Sequence, residues 1–507
     1  MELKDYKFFG LRFIRPRLIR INYGAVNFSA KAKNIIRTYS MPGIELGFKK
    51  TLQKVFKVEN LSEKSTLSPS LIEEYDTKEL EVYKRKKFFN MSGLDLSLLK
   101  NSMLWILQTL DPKLSDYYEL DNESILKILP NDSNSGFPMF KRKGDQDVRE
   151  QLMRDVHSYF KTRDNAKPLF LALHPTVIFH RFVVKSESIY DDAVTYKIRN
   201  VWGVPYLILY LEVKFLFWFK VLFTNRMGDF FTSGSNRVDI SNKIGIVRDK
   251  AKREGKYILC GDISGFDKSV PPPFYTLFSM LFCNVDNEFF RTNLANLLNY
   301  TCYTPFFGVD NKVSNTIGST TSGSYLTTIF NSFCTILVLT YIILHLHKRF
   351  PTAGDFLAQG DDFIIIVNDF DDLLEVKRIF RLFNFRLKLY EECVVSYVGE
   401  IIFLGFYWDM MNAPNQTDDW LISRILYPEK FVELAGPDRI IARYLTLIFQ
   451  IVRWRSLFKL FYEYDPHFAR KMRINDYLDL RILDRNGNIS KNRFPIEYFY
   501  EVGWRGF

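Results

Sequence analysis

Two short apolar runs, Phe356-Leu357-Ala358 and Phe363-Ile364-Ile365-Ile366-Val367, flank the tripeptide Gly360-Asp361-Asp362. Runs this short and this rich in β-branched and aromatic residues suit strands, and Gly and Asp suit a tight turn. The segment is therefore predicted to be a β-hairpin with an acidic tip. A third run of the same kind, Lys256-Tyr257-Ile258-Leu259-Cys260-Gly261-Asp262-Ile263, reads as a short buried strand that ends in a carboxylate.

If the strands are neighbours, Asp262, Asp361 and Asp362 converge at one end of a sheet. Carboxylates packed together repel, and their pKa values rise unless cations lie between them. Two Mg²⁺ ions, roughly 3.5–4 Å apart, would relieve the repulsion and support in-line phosphoryl chemistry, with Mn²⁺ as a substitute. Mg²⁺ commonly takes only one or two carboxylates when substrate phosphates complete its shell. Taken alone, the tripeptide also reads as an ordinary hairpin turn, for which Gly and Asp are favoured.

Around these strands the pattern is mixed. Ser324 to Lys348 is a long apolar helical pattern, and Asp371 and Asp372 begin a helix with apolar Leu373, Leu374, Val376, Ile379, Phe380 and Phe383. Strand-like runs follow at Arg386 to Leu389 and Ile401 to Trp408, and the chain past about residue 410 reads as helical, basic and aromatic. Residues 165–225 read as strands leading into an apolar helix, and residues 131–145 as turns. Residues 1–100, with Arg12, Arg15, Arg17, Arg20 and a polar break at Leu61 to Ser70, read as a wrapping segment. The expected class is α+β, with one sheet face covered by helices.

With 47% hydrophobic and 16% aromatic residues, the 507-residue chain can fill a large core, which excludes wholesale disorder. The balance of 69 basic against 58 acidic residues gives +11, which suits a polyanion partner. Cys260, Cys283, Cys302, Cys334 and Cys393 include no CxxC pair, which argues against a zinc site and a secreted disulfide framework and for a reducing compartment. The first residues lack the apolar core of a signal peptide. Val204 to Phe223 contains Glu212, Lys214 and Lys220, and Ile329 to Leu346 contains Asn331, Ser332 and His345. Both are therefore expected to be buried helices of a protein without a membrane span.

Three elements occur in a fixed order: Asp262-Ile-Ser-Gly-Phe-Asp267, then Ser322-Gly323 followed by Thr327 and Asn331, then Gly360-Asp361-Asp362. Together they resemble motifs A, B and C of the palm of viral RNA-dependent RNA polymerases. The resemblance implies Asp262, Asp361 and Asp362 as metal ligands and catalytic acids. It also implies that Ser322, Gly323 and Thr327 bind nucleotide. Asp267 and Asn331 would bond a ribose 2′-OH, the group that tells RNA from DNA. Asn331 can equally be a satisfied buried amide, and Ser and Thr near a helix start are commonly caps.

Further stretches resemble accessory motifs. Lys185, Lys197 and Arg199 resemble a basic motif F that neutralises the incoming triphosphate; Lys197 and Arg199 alternate along a strand and point the same way. A solvated strand edge is the other reading. Lys388 resembles a motif D lysine that protonates the pyrophosphate, although Lys377 or Arg386 could hold that place, as could a plain surface lysine. Ser135-Gly136-Phe137-Pro138 resembles a motif G loop at the template entrance, or an ordinary Gly/Pro turn. Phe403-Leu404-Gly405-Phe406 resembles the motif E primer grip, or plain core.

Phe266-Asp267-Lys268-Ser269-Val270-Pro271, Ser322-Gly323-Ser324-Tyr325 and Leu426-Tyr427-Pro428-Glu429 are similar to partitivirus polymerases, with picobirnaviruses as near relatives; both groups are double-stranded RNA viruses. The resemblance implies a right-hand polymerase with an antiparallel palm sheet backed by helices, in an encircled, closed form. The N-terminal region and fingers would take 1–255, with a fingers insert at 271–318. The palm would take 256–270 and 319–408, and a helical thumb 409–507. RNA template and product, nucleoside triphosphates and viral capsid protein are the implied partners, and the virion interior and host cytoplasm the implied locations. A reverse transcriptase and a non-catalytic RNA-binding or assembly protein on a polymerase fold are the alternatives.

Overall fold

The structure, a computed structural model, describes residues 53, 58, 60–308, 312–388, 393–427, 477–483 and 489–495. The basic segment at Arg12 to Arg20, and Pro428 and Glu429, lie outside the described residues.

The chain enters through helices α1 (Pro69–Lys84), α2 (Leu96–Leu110), α3 (Asn122–Ile128), α4 (Gln146–Lys161) and α5 (Lys167–Ala172). Strands β1 (Val177–Val184) and β2 (Tyr196–Gly203) then form an antiparallel ribbon, followed by α6 (Tyr206–Arg226) and α7 (Arg237–Glu254). Strand β3 (Tyr257–Ile263) leads through α8 (Phe266–Ser269), α9 (Pro273–Met280), α10 (Glu288–Cys302), β4 (Pro305–Phe307) and β5 (Val313–Asn315) into α11 (Thr327–His347). After it come β6 (Phe356–Gln359), β7 (Asp362–Val367), α12 (Asp372–Leu382), β8 (Leu387–Lys388) and β9 (Val394–Val395). The last elements are β10 (Ile401–Phe403), β11 (Phe406–Trp408), β12 (Pro414–Asn415), α13 (Asp418–Leu426) and the strand pair β13 (Tyr477–Leu483) and β14 (Ile489–Pro495).

The central sheet runs β6-β7-β3-β8, with β9 also on β3, and all its pairings are antiparallel. Its period-two pleat sends alternate residues to two different cores. Leu259, Ile263, Phe363, Ile365 and Val367 join the large cluster that contains α11 and α12. Ile258, Cys260, Ile364 and Ile366 join a second cluster with Ile240, Ile244 and Val247 of α7 and Ile401, Phe403 and Trp408 of the β10–β11 hairpin. The sheet is therefore covered on both faces, which corrects the expectation of one helix-covered face. The unbroken apolar run of β7 reflects this, because no position on it meets water.

Helix α11 is predominantly apolar and sits inside the protein. It is the one described helix long and apolar enough to cross a membrane, yet 89% of its apolar window is buried. Helix α2 packs along it. The α2 cap residue Asp95 accepts hydrogen bonds from the N–H groups of Ser97 and Leu98, and its own N–H donates to the Tyr341 hydroxyl at 2.9 Å. The polar stretch before α1 runs along the segment that joins β1 to β2. Ser62 N–H donates to Ile189 O and Thr66 N–H to Val194 O.

Two local expectations change. Ile401 to Trp408 is a hairpin and not one strand, because Leu404 and Gly405 take φ of 55° and 72°, the backbone of a primed two-residue turn. The region past residue 410 contains α13 but also β12, β13 and β14, so it is not uniformly helical.

Candidate active site

The β3–β7 register sets Asp262 directly opposite Asp362, and the β3–β8 register sets Asp262 opposite Lys388. Asp361 sits in the β6–β7 turn after Gly360, whose φ of +64° favours glycine. The turn is pinned from α11. Ser332 Oγ accepts the Gly360 N–H at 2.8 Å, and Thr335 Oγ1 donates to the Gly360 carbonyl at 2.5 Å.

This crowding shows in the acids. Burial, then the charges of Asp262 and Asp267, push the Asp361 carboxyl up to about 6. Burial, then Asp361 and Asp262, push Asp362 up to about 7. Arg199 opposes both shifts as a nearby cation. Asp262 is half-exposed and pairs with Lys388 Nζ at 3.0 Å. Among the described residues no three His, Cys, Asp or Glu side chains form a ready-made metal cage. The acids instead fit hard divalent ions whose shells are completed by substrate phosphates: oxygen donors only, and mutual repulsion that a cation would relieve.

Beyond β3, α8 carries Asp267. Its Oδ1 accepts hydrogen bonds from Thr320 Oγ1 and from Asn331 Nδ2, each at 3.0 Å. Burial pushes this carboxyl up, and the two donors and Arg199 hold it back. Asn331 Oδ1 is buried with no partner among the described residues, so it is an open acceptor beside Asp267.

The loop before α11 is pressed onto β2. Ser322 Oγ accepts the Trp202 N–H at 3.3 Å, and a Cβ on Gly323 would lie 1.9 Å from the Trp202 carbonyl oxygen, so only glycine fits. The Thr327 hydroxyl donates to Thr321 O at 2.5 Å and closes the loop.

Lys197 and Arg199 lie on one side of β2 with exposed side chains. Burial, then Arg199 and Lys388, lower the Lys197 ammonium, while Asp262 and Asp361 raise it. The ribbon therefore puts two cations within electrostatic reach of the acids. Lys185 follows β1 and is exposed, and among the described residues no hydrogen bond or ion pair ties it to the acids. Ser135 is buried and spent within its own loop, where its N–H donates to Lys141 O and its carbonyl accepts from Tyr206 N–H. Gly136 packs against the carbonyls of Gly203 and Val204, and Pro138 follows Phe137 in the same loop, which ties it to the start of α6. Phe403 is packed into the core, leaving the partly exposed Leu404 and exposed Gly405 as the hairpin tip.

Four participants escaped sequence reading: Thr320, Ser332, Thr335 and Glu212. Thr320 lies in a polar run before α11 and the other three are polar residues within apolar helices, and the partner of each is remote in the chain. The available signal was the polar pair Ser332 and Thr335 following Asn331 along an otherwise apolar helix.

No curated protein matches the chain in sequence. The crystal structure of the RNA-dependent RNA polymerase of a human picobirnavirus superposes with a TM-score of 0.60 at 13% identity, covering 85% of each chain. That of its insertion-loop deletion mutant superposes with a TM-score of 0.57 at 14% identity, covering 82% of this chain and 79% of the other. The sequence profile of viral RNA-dependent RNA polymerases matches residues 51–430. The chain thus belongs to the viral RNA-dependent RNA polymerase family, resembles a picobirnavirus polymerase in fold, and is an RNA-directed RNA polymerase, a nucleotidyltransferase.

Proposed function

We propose that this polymerase copies viral RNA for genome replication and transcription with the acids at the β3–β7 strand ends. The observation that carries the reading is the placement of Asp262 against Asp362, beside Asp361 in the pinned turn. Asp262, Asp361 and Asp362 would hold two Mg²⁺ ions. Those ions, when bound, supply activation of the attacking hydroxyl and charge neutralisation on the leaving pyrophosphate.

The chain's own groups do the rest. Lys197 and Arg199 attract and orient the triphosphate through point charge and bidentate contact. Asn331 Oδ1 accepts the ribose 2′-OH proton in a hydrogen bond, while Asn331 Nδ2 and Thr320 hold Asp267 in place. The growing 3′-OH attacks the α-phosphate, and Lys388 offers a proton to the departing pyrophosphate.

In this reading residues 1–255 and 271–318 form the fingers, 256–270 and 319–408 the palm, and 409–507 the thumb, closed into a ring. The kinship to viral polymerases supports capsid protein as a partner, and the virion interior and host cytoplasm as the places of action. The test is ribonucleotide incorporation on single-stranded RNA with Mg²⁺ or Mn²⁺, comparing wild type with Asp361→Ala. Incorporation that is lost in the variant is expected. Equal activity in both proteins would overturn the site.

A further inference from the structure

All the buried residues of α6 are apolar or aromatic except Glu212, which is 1% exposed. A carboxylate in such a place is costly unless it is hydrogen-bonded. Both of its oxygens are used, and both by one loop. Oε1 accepts the Ser324 hydroxyl at 2.6 Å, and Oε2 accepts the Tyr325 N–H at 2.7 Å. Ser324 Oγ in turn accepts the Leu326 N–H at 3.1 Å, so the bonds continue to the start of α11. Among the described residues no ion pair neutralises Glu212, and the phenols of Tyr275 and Tyr325 are the titratable groups that feel its charge.

The same loop is held on its other side by Trp202 of β2, through the Ser322 bond and the close approach at Gly323. At its near end Thr320 donates to Asp267. One loop thus joins a buried carboxylate, a backbone dock and the aspartate beside Asn331. A hydrophobic residue would fill the Glu212 position at less cost in desolvation, but it would leave the Tyr325 N–H without this acceptor.

We propose that Glu212 is a positioning residue for nucleotide selection: it fixes the Ser322–Gly323 loop and, through Thr320, the Asp267 carboxylate. The inference rests on the reading of that loop as facing the nucleotide.

Three variants test it in full-length protein: Glu212→Gln, Ser324→Ala and Gly323→Ala. Each is assayed for KM and kcat with ribonucleotides, for the ribo-to-deoxyribonucleotide ratio, and for Tm. Glu212→Gln keeps the side-chain shape but puts an NH₂ against one donor. It is expected to raise KM and to lower the ratio, each by about tenfold, the effect of losing one hydrogen bond to a charged group. Ser324→Ala is expected to act in the same direction and to add little in the Glu212→Gln background. A merely structural role would lower Tm and active fraction and leave KM and the ratio alone. That result overturns the proposal. If Gly323→Ala is impaired while the other two folded variants select normally, only the Glu212 proposal falls. If Gly323→Ala also selects normally, the loop reading falls with it.

Discussion

Asn331 Nδ2 donates to Asp267 Oδ1 at 3.0 Å, and Asn331 Oδ1 on the same amide is buried without a partner among the described residues. The pair joins the strand-end segment after β3 to the first turns of α11. An amide with one end committed and one end open discriminates well, because a buried acceptor left unpaired is costly. A ribose hydroxyl would satisfy it and a deoxyribose would not. Asn331→Leu is therefore expected to reduce the preference for ribonucleotides by about tenfold or more, while kcat with ribonucleotides falls less. Competition between the two sugars at equal concentration measures this, and an unchanged ratio would remove Asn331 from sugar selection.

The strand-end acids predict a pH-dependent cost. The Asp361 and Asp362 carboxyls rise from an ordinary 3.8 to about 6 and about 7. A carboxyl raised on folding binds its proton more tightly in the folded state. Its contribution is neutral below about pH 4 and becomes a penalty as pH climbs to the folded value. Asp362→Asn removes the repulsion. Without divalent ions it should match wild type in stability near pH 4 and exceed it by on the order of 2 kcal/mol near pH 8. Mg²⁺ should narrow that gap by stabilising the wild type more than the variant, which keeps only Asp262 and Asp361. Urea unfolding across this range is the measurement, and a pH-independent difference would contradict the assignment.

The parts of the site that were legible are those whose chemistry is written in local spacing. Asp262 and Asp267 flank one short loop, Gly360-Asp361-Asp362 is a hairpin tip, and Thr327 and Asn331 share a helix face. What was not legible depends on three-dimensional partners. Glu212 resembled a charge that disfavours a membrane span, and only its bonds to Ser324 and Tyr325 show what it holds. Ser332 and Thr335 looked like incidental polar residues in an apolar helix. The doubly covered sheet could have been anticipated from Ile364-Ile365-Ile366, since a half-exposed strand would alternate. The break at Leu404-Gly405 was missed because aromatic residues on both sides mimic one continuous strand.

The α11 clamp on the acidic turn predicts a rate defect. Ser332 and Thr335 take up both backbone polar groups of Gly360, so they fix where Asp361 points. Removing one buried hydrogen bond costs about 1 kcal/mol in stability, but a turn displaced by about 1 Å costs far more in catalysis. The double variant Ser332→Ala, Thr335→Val is expected to fold and to bind nucleotide with a KM near wild type, while kcat falls by about a hundredfold. Single-turnover incorporation would show this, and a wild-type rate would mean that the turn holds its shape unaided.

Arg199 predicts a charge effect that reaches two places at once. It stands on the exposed side of β2 beside Lys197, and its charge lowers the carboxyls of Asp267, Asp361 and Asp362. Arg199→Ala should raise KM for nucleoside triphosphates by about tenfold, since a charge-assisted contact to phosphate is lost. It should also flatten the dependence of KM on salt, because fewer fixed cations remain to be screened. Arg199→Lys should restore the salt dependence but only part of the affinity, because an ammonium lacks the bidentate fork. Full recovery of KM by lysine would reduce the role of Arg199 to that of a point charge. An unchanged salt dependence in Arg199→Ala would place the triphosphate elsewhere.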